Sequence, residues 1–175
     1  MGKQKGKFSI MPLVADATFS EYIFSESEEP IMSDSHTYTT HVEWTKERRA
    51  ALSSPALPTI EVATPANFPG GHEGIWSPEH LYTAAAEICL MTTFLSLAEK
   101  TKLVFKSYKS EASGTLEKAE KGFLMTRINI KPTVVIADEK LKEKTLTLLE
   151  KAEKYCLISN SMKTEVTIEP NVLVK

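Results

Sequence analysis

Two cysteines, Cys89 and Cys156, are the residues of this 175-residue chain best suited to covalent chemistry. Cys89 lies among apolar residues in EICLM, and Cys156 follows a second helical pattern in KYCLISNSM. Free cysteines often act as small, inert, buried hydrophobes. Alternatively the two form a dithiol pair, in which one thiolate attacks a substrate and the other resolves the product as a disulfide. Such a pair needs Cα atoms within roughly 7 Å, which sequence spacing cannot show.

Two glutamates accompany Cys89 in the segment SPEHLYTAAAEICLMTTFLSLAEK, residues 77–100. Glu79 falls in the first helical turn, where the helix dipole favours a carboxylate even without a function. Glu87 lies deep in the apolar run. Its side chain either lies on a more hydrated stripe of the helix or forms a buried ion pair. The candidate cations for such a pair are Arg48, Arg49 and Arg127.

Other chemistries have little support in the sequence. The four histidines (His36, His41, His72 and His80) show no recognised ligand spacing, and two distant cysteines do not complete a zinc site. Phosphate-binding glycine motifs and a nucleophile elbow are also missing from the sequence. We therefore expect no metal and no bound cofactor.

Charge and cysteine content narrow the class of protein further. The net charge of −2, the pI of about 6.1 and the lack of a basic patch argue against a nucleic-acid partner. Two cysteines do not build a secreted disulfide framework, so we expect a cytoplasmic protein.

The segment 77–100 predicts a helix with a defined start, in which Ser77 is the N-cap and Pro78 the first helical residue. It is long enough to suggest a membrane span. Its internal glutamates and threonines favour a buried helix of a soluble protein instead, with no membrane partner. A helix that is apolar on nearly every face must be covered on all sides. One sheet and one amphipathic helix cannot easily do that, so we expect a homodimer with this helix at or near the interface.

Patterns of alternation and helical spacing predict the remaining elements. In chain order they are a hairpin of strands 37–44 and 59–64 around a polar turn at 46–58, the helix at 77–100, two long antiparallel strands within 103–136, a helix at 138–156 capped by Asp138, and a strand at 164–170. The order β-β-α-β-β-α-β predicts an α+β fold over residues 37–175. Residues 1–36, rich in Ser and Glu towards their end, are interpreted as an N-terminal extension, an arm or a disordered segment.

The central segment resembles the OsmC/Ohr family (osmotically induced protein and organic hydroperoxide resistance protein). In that family a proline-glutamate pair opens the central helix, and the peroxidatic cysteine follows ten positions after the glutamate. Pro78-Glu79 and Cys89 have this spacing here. The segment IEVATPANFPGG is also similar to the family's segment before the helix.

The second signature of the family is a cysteine followed by a Ser-Asn pair, which matches Cys156 and Ser159-Asn160. The resemblance covers about residues 37–172. It implies an OsmC-like fold, with sheets wrapped around central helices in an intertwined homodimer.

The resemblance also implies a reaction, the reduction of organic hydroperoxides. Cys89 would attack the O–O bond as a thiolate and become a sulfenic acid, and Cys156 would then condense with it to a disulfide. An external dithiol, of lipoyl type or another thiol, completes the cycle. Glu79 and an arginine are implied as the groups that organise the thiolate and the peroxide.

Helix geometry constrains the role of Glu79. Ten residues of helix rise about 15 Å, so Glu79 cannot touch Cys89 of its own helix. If Glu79 supports a thiolate, we predict that it does so across the dimer interface.

The arginine is expected between the first two strands, in a loop that is glycine-rich in the family's peroxidases and reads TKERRAALSS here. Arg48 and Arg49 both fall near the expected place, and we favour Arg49. Peroxidases of the Ohr branch also tend to have Pro after the second cysteine, where this chain has Leu157. These departures favour the broader OsmC-like branch.

Two alternatives stay open. One is a non-enzymatic stress protein that binds a small apolar ligand in the dimer crevice, with the cysteines as core residues or as a redox sensor. Residues that could line such a crevice are Phe68, Trp76, Met91 and Phe94. The other is a stress-linked dimer that has lost its activity with the arginine loop. A peroxidase needs a reactive Cys89, whereas a binding protein tolerates Cys89→Ser.

Overall fold

In the computed structural model, which describes residues 35–120 and 122–175, strands precede, separate and follow the helices. The helices are α1 (Pro78–Lys100), α2 (Lys142–Lys154) and α3 (Leu157–Ser161), and a 3-10 turn spans Glu139–Leu141. The strands are β1 (His41–Lys46), β2 (Arg49–Ser53), β3 (Ile60–Ala63), β4 (Ser107–Lys109), β5 (Ala112–Ala119), β6 (Gly122–Ile130), β7 (Thr133–Ile136), β8 (Glu165–Ile168) and β9 (Asn171–Val174). The predicted α+β class is confirmed.

By its internal contacts the chain divides into two units, Met1–Thr39 and Thr40–Lys175. Residues 35–39 of the first unit are exposed and carry no regular secondary structure. The predicted extension at 1–36 lies almost wholly outside the described residues. Every helix and strand named above belongs to the second unit.

The first sheet contains a strand that the sequence analysis missed. Strands β1, β2 and β3 pair antiparallel in that order, so the predicted two-stranded hairpin around a polar turn at 46–58 is wrong. The turn takes only the two residues after β1, where Glu47 has a φ of 50° and its carbonyl accepts a hydrogen bond from Trp44 Nε1 (2.9 Å). Strand β2 was not predicted because its segment is made of arginine and small residues with prolines nearby. These residues lack the β-branched and aromatic side chains typical of strands. The first strand also begins at His41 rather than at 37.

Helix α1 confirms the prediction for 77–100, and its start is fixed by reciprocal hydrogen bonds. The hydroxyl of Ser77 accepts from the backbone N–H of His80 (3.4 Å), and Nδ1 of His80 accepts from the backbone N–H of Ser77 (3.3 Å). Both bonds satisfy backbone donors that a helix start would otherwise leave unpaired. Glu79 is therefore held in a well-defined first turn.

Only one side of α1 is covered within the chain. Its buried residues form one stripe, namely Ala86, Leu90, Phe94, Leu97 and Ala98. On the opposite side, Ile88 and Leu95 are 57% and 39% exposed. The helix is long and apolar enough to cross a membrane, a test that core helices of soluble proteins also pass, and 28% of its most apolar window is buried within the chain. An apolar face of α1 is thus left uncovered.

The long antiparallel hairpin of β5 and β6 accounts for part of the two strands predicted within 103–136, each of which is divided, into β4 and β5 and into β6 and β7. Strand β8 extends the hairpin in parallel beside β6. The short strands β4 and β7 pair with one another, and β9 lies parallel to β7. Pro132 separates β6 from β7, and Pro170 separates β8 from β9, because proline has no N–H to donate to a strand ladder. The predicted strand at 164–170 corresponds to β8, whereas β9 begins at Asn171, beyond that range, and was not predicted.

Helices α2 and α3 pack against α1 and bring the second cysteine to it. The carboxylate of Asp138 accepts from the backbone N–H of Lys140 (3.0 Å), so the predicted cap is confirmed, although the first turn is 3-10. The helix predicted to run to 156 ends at Lys154, and Cys156 then starts α3. The break between α2 and α3 places Cys156 in the core.

Candidate active site

The structure brings Cys89 and Cys156 together, although they belong to different helices. Cys89 lies midway along α1 and is partly exposed, whereas Cys156 lies between α2 and α3 and is fully buried. Both are free, and the Cys89 thiol lies close enough to Cys156 to influence its ionisation. Burial raises the pKa of the Cys156 thiol, and the hydrogen bond with Cys89 raises it further. Two thiols in this relation can form a disulfide once one of them is oxidised.

Ser159 holds the sulfur of Cys156 with two hydrogen bonds. Its hydroxyl donates to Cys156 Sγ at 3.1 Å, and its backbone N–H donates to the same sulfur at 3.4 Å. Both bonds favour the thiolate and partly offset the effect of burial on the pKa of Cys156. Ser159 belongs to the second family signature, in which no role was predicted for it. The one signal for such a role was its position, three residues after the cysteine.

A cavity of about 310 Å³ lies where β2, β3 and the start of α1 meet. Its walls are mainly apolar, with one cation and one carboxylate among them. The lining residues are Arg48, Ala50, Val62, Ala63, Thr64, Pro65, Phe68, Pro78 and Glu79. Among the described residues, the buried Oε2 atom of Glu79 has no hydrogen-bond partner. The cavity therefore offers an unsatisfied acceptor to a ligand.

The side chain of Arg48, which lines this cavity, packs against Gly70. A Cβ atom on Gly70 would lie 3.0 Å from Arg48 Nε and 3.1 Å from its Cδ, so the arginine side chain lies directly against the glycine backbone. Gly70 has a φ of +74°, a conformation that glycine adopts without strain. The backbone of Arg48 is fixed by a hydrogen bond from Thr64 N to its carbonyl (3.1 Å).

Arg49, the arginine favoured by the sequence analysis, belongs to a different cluster. Its Nη1 donates to Glu61 Oε1 (3.3 Å), and its Nη2 lies 3.2 Å from Nδ1 of His72. Glu47 approaches both Arg49 and His72, at 4.0 Å and 3.6 Å. Arg48 ends the turn and Arg49 begins β2, and neighbouring side chains of an extended chain point to opposite sides, so the adjacent arginines reach different surroundings. Arg48 and Glu79 thus line one cavity, whereas Arg49 contacts Glu61 and His72.

Glu79 and Cys89 lie on one continuous helix and are not brought together within the chain. Their separation along α1 corresponds to a rise of about 15 Å. Cys89 is not among the residues that line the cavity of Arg48 and Glu79. Each chain therefore carries two half-sites, a dithiol and an arginine-glutamate cavity.

Of the two interpretations of Glu87, the structure does not show the ion pair among the described residues. Its Oε1 accepts a hydrogen bond from Ser110 Oγ (2.6 Å), and Arg127 is instead 3.9 Å from Glu117. Burial raises the pKa of the nearby Tyr108 phenol, and the charge of Glu87 adds to that rise. Glu87 thus anchors α1 to the segment between β4 and β5.

The four residues suggested for a ligand crevice lie in different surroundings. Phe68 lines the cavity and contacts Phe123 edge-on, with 5.8 Å between ring centroids. Phe94 is fully buried in the core, and Trp76 is half exposed. Only Phe68 of the four lines the cavity.

Across residues 35–120 and 122–175, no group of three His, Cys, Asp or Glu side chains gathers in a way that could hold a metal ion. The groups of the two half-sites are thiols, a guanidinium and a carboxylate. Such groups suit nucleophilic attack by sulfur on a polar bond, with a cation to stabilise developing negative charge.

Solved structures share this fold. An OsmC-like protein of unknown function from Vibrio cholerae is 25% identical, with a TM-score of 0.71 over 78% of this chain and 99% of that one. An organic hydroperoxide resistance protein from Legionella pneumophila is 21% identical (TM-score 0.60; 79% and 98% covered). Another, from Elizabethkingia anophelis with thiocyanate bound, is 20% identical (TM-score 0.65; 82% and 100% covered). A search of curated proteins gave no significant match.

A model of one protein family matches the sequence itself. Its description is OsmC-like protein, and it matches residues 70–171, more than half of the chain. The matched stretch contains Glu79, both cysteines and Ser159, while Arg48 lies before it. The sequence match and the shared fold agree, and the chain belongs to the OsmC-like protein family.

Proposed function

We propose that this protein is a thiol-dependent peroxidase that reduces organic hydroperoxides to alcohols in oxidative-stress defence in the cytoplasm. The observation that carries the proposal is the proximity of Cys89 and Cys156, two free thiols from different helices with unequal burial. A partly exposed thiol beside a buried partner suits a peroxidatic and a resolving cysteine. The hydroperoxide resistance proteins that share the fold make this substrate class the natural first candidate.

In the oxidative step, the thiolate of Cys89 attacks one oxygen of the hydroperoxide O–O bond. The S–O bond forms as the O–O bond breaks, and the alkoxide leaves and takes up a proton to become the alcohol. Cys89 is left as a sulfenic acid. The Cys156 sulfur then attacks the Cys89 sulfur, which forms the disulfide and releases water. An external dithiol of lipoyl type or another thiol returns both cysteines to the reduced state.

The cavity of Arg48 and Glu79 supports a substrate with one polar end. Its apolar walls suit the organic part of a hydroperoxide, and the guanidinium of Arg48 can stabilise the negative charge that develops on the leaving oxygen. The unpaired Oε2 of Glu79 can accept the O–H of the bound hydroperoxide.

The two half-sites would meet in a homodimer. The uncovered apolar face of α1, with Ile88 and Leu95, needs a partner, and Cys89 lies next to Ile88 at the edge of this face. A second copy packed there would bring its own Glu79 and Arg48 towards Cys89. This arrangement resolves the separation of Glu79 and Cys89 along one helix.

The proposal is tested by peroxide consumption with dithiothreitol or dihydrolipoamide as reductant. The proteins compared are wild type, Cys89→Ser and Cys156→Ser, with cumene hydroperoxide and hydrogen peroxide as substrates. We expect turnover that favours the organic peroxide and is lost in Cys89→Ser. No turnover by the wild type, with both thiols slow to alkylate, would refute it.

A second candidate is a non-enzymatic protein that binds a small apolar ligand. The mainly apolar walls of the 310 Å³ cavity favour it. Binding of such a ligand would be unchanged in Cys89→Ser, whereas peroxidase activity depends on that sulfur. The same variant therefore separates the two functions.

A further inference from the structure

We infer that Ser159 makes Cys156 the leaving sulfur when the disulfide is reduced, so that the reducing thiol attacks Cys89 through the same opening as the peroxide. The inference rests on the proposed dithiol function. It assigns a direction to the reductive half of the cycle and a catalytic role to Ser159, whose donors touch the reacting sulfur.

Access to the two sulfurs is unequal. Cys156 is 0% exposed, whereas Cys89 is partly exposed. Thiol–disulfide exchange requires the incoming thiolate to reach the attacked sulfur, so access selects which sulfur is attacked. A peroxide must already reach Cys89 for the protein to act as a peroxidase, and a small dithiol can follow the same path.

The two sulfurs also differ in how well a negative charge is stabilised on them, and this difference again favours Cys156 as the leaving sulfur. When a thiolate attacks the Cys89 sulfur, the S–S bond breaks and its electron pair goes to Cys156. Two donors of Ser159 already point at that sulfur, the hydroxyl at 3.1 Å and the backbone N–H at 3.4 Å. A sulfur whose thiolate is stabilised leaves faster. Because Cys156 is otherwise buried, these donors replace the hydration that the anion would have in water.

The balanced sequence has two exchanges. The first thiolate of the dithiol bonds to Cys89 Sγ, and Cys156 leaves as a thiolate that takes a proton from solvent or from the reductant. The second thiol of the reductant then attacks the first reductant sulfur, which is bonded to Cys89. This step releases Cys89 as a thiolate and the oxidised, cyclic dithiol as product. The reductant loses two electrons and the protein disulfide gains them.

The same hydrogen bonds help the earlier step, in which Cys156 attacks the sulfenic acid of Cys89. They increase the thiolate fraction of a sulfur whose burial works against ionisation. Ser159 would thus serve both the formation and the opening of the disulfide.

The first test locates the attacked sulfur. The wild-type disulfide is formed with diamide, which needs no peroxide, and then treated briefly with glutathione before acid quenching, alkylation and peptide mass spectrometry. We expect glutathione on the Cys89 peptide and the alkylating group on the Cys156 peptide. Glutathione on Cys156, or equally on both, would overturn the inference. If diamide forms no Cys89–Cys156 disulfide, the proposed dithiol function itself fails.

The second test measures the role of Ser159. The rate at which dithiothreitol reduces the disulfide is compared among wild type, Ser159→Ala, Ser159→Thr and the control Ser161→Ala, whose hydroxyl donates to Leu157 O instead (2.8 Å). Loss of a hydrogen bond to a charged group predicts a rate about tenfold lower in Ser159→Ala. Ser159→Thr, which keeps a hydroxyl, and Ser161→Ala should stay near the wild-type rate. Equal rates in Ser159→Ala and wild type, with both folded by circular dichroism, would overturn the assigned role.

Discussion

Glu79 and Cys89 lie on the same unbroken helix, yet each belongs to a different half-site of the chain. Glu79 lines the cavity of Arg48, and Cys89 lies near Cys156, which sits at the junction of α2 and α3. The rise of about 15 Å between them is fixed by helix geometry and cannot be shortened by side-chain movement. A site that uses both residues must take them from two chains.

This relationship predicts complementation between two inactive variants. Glu79→Ala and Cys89→Ser are each expected to lack activity as homodimers. In a mixed dimer, one site would combine the intact Cys89 of one chain with the intact Glu79 of the other. Peroxide consumption after joint refolding of equal amounts should then recover to about a quarter of the wild-type rate, because half of the dimers are mixed and one of their two sites is intact. No recovery, with mixed dimers present by mass spectrometry, would contradict sites shared between chains.

The two adjacent arginines are expected to differ sharply in function. Removal of one charge-stabilising donor from an active site costs about 10²-fold in rate, so Arg48→Ala should lower kcat/KM for cumene hydroperoxide by that order. Arg49→Ala is the matched control, since it removes the same group from a neighbouring position. It should lower stability through loss of its contacts with Glu61 and His72 while kcat/KM changes by only a few-fold. A larger loss of kcat/KM in Arg49→Ala would restore the original assignment of that residue.

Two glycines offer a test of how Arg48 is positioned. Gly70 and Gly74 both have positive φ, at +74° and +70°, so alanine should cost each position about 1 kcal/mol of stability. A Cβ on Gly70 would meet Arg48, whereas a Cβ on Gly74 would meet nothing within 4 Å. Gly70→Ala should therefore lower peroxidase activity, and Gly74→Ala should leave it nearly unchanged at a similar loss in melting temperature. Equal activities in the two variants would show that the arginine does not depend on this contact.

The raised pKa of Cys156 predicts a loss of stability at alkaline pH. Burial raises this pKa in the folded state, so the folded chain holds the thiol proton more tightly than the unfolded chain does. The resulting stability is fully present below the ordinary pKa of a cysteine and is lost as the pH rises through the raised value. Urea unfolding under reducing conditions should show a steeper alkaline loss in wild type than in Cys156→Ser. Tyr108, whose pKa is also raised, is present in both proteins and does not affect the comparison.

Local sequence signals were sufficient to predict the central helix α1. Ser77, Pro78 and the apolar run fix its start and course, and the structure follows them. The β5–β6 hairpin was also predicted from its alternation, although the structure adds a register shift at Thr115 and Leu116. Strand β2 was missed because its residues have little intrinsic preference for strands and are held by pairing on both sides.

The candidate site was predictable only in part, because its residues meet through tertiary packing. The resemblance to the OsmC/Ohr family suggested the two cysteines, but no spacing rule could show that α3 would bring Cys156 to Cys89. The choice between Arg48 and Arg49 depended on which side of the first sheet each faces, and that depended on the missed strand β2. The role of Ser159 follows only from the hydrogen bond of its hydroxyl to Cys156 Sγ in the structure.

The central claim is that Cys89 and Cys156 form a peroxide-driven disulfide, and mass spectrometry of a single turnover tests it most directly. Reduced protein is mixed with one equivalent of cumene hydroperoxide, quenched with an alkylating agent and digested without reductant. We expect one linked peptide pair that joins Cys89 to Cys156, and in Cys156→Ser a Cys89 peptide that is one oxygen atom heavier. Recovery of both cysteines as alkylated thiols, with the peroxide unconsumed, would contradict the account.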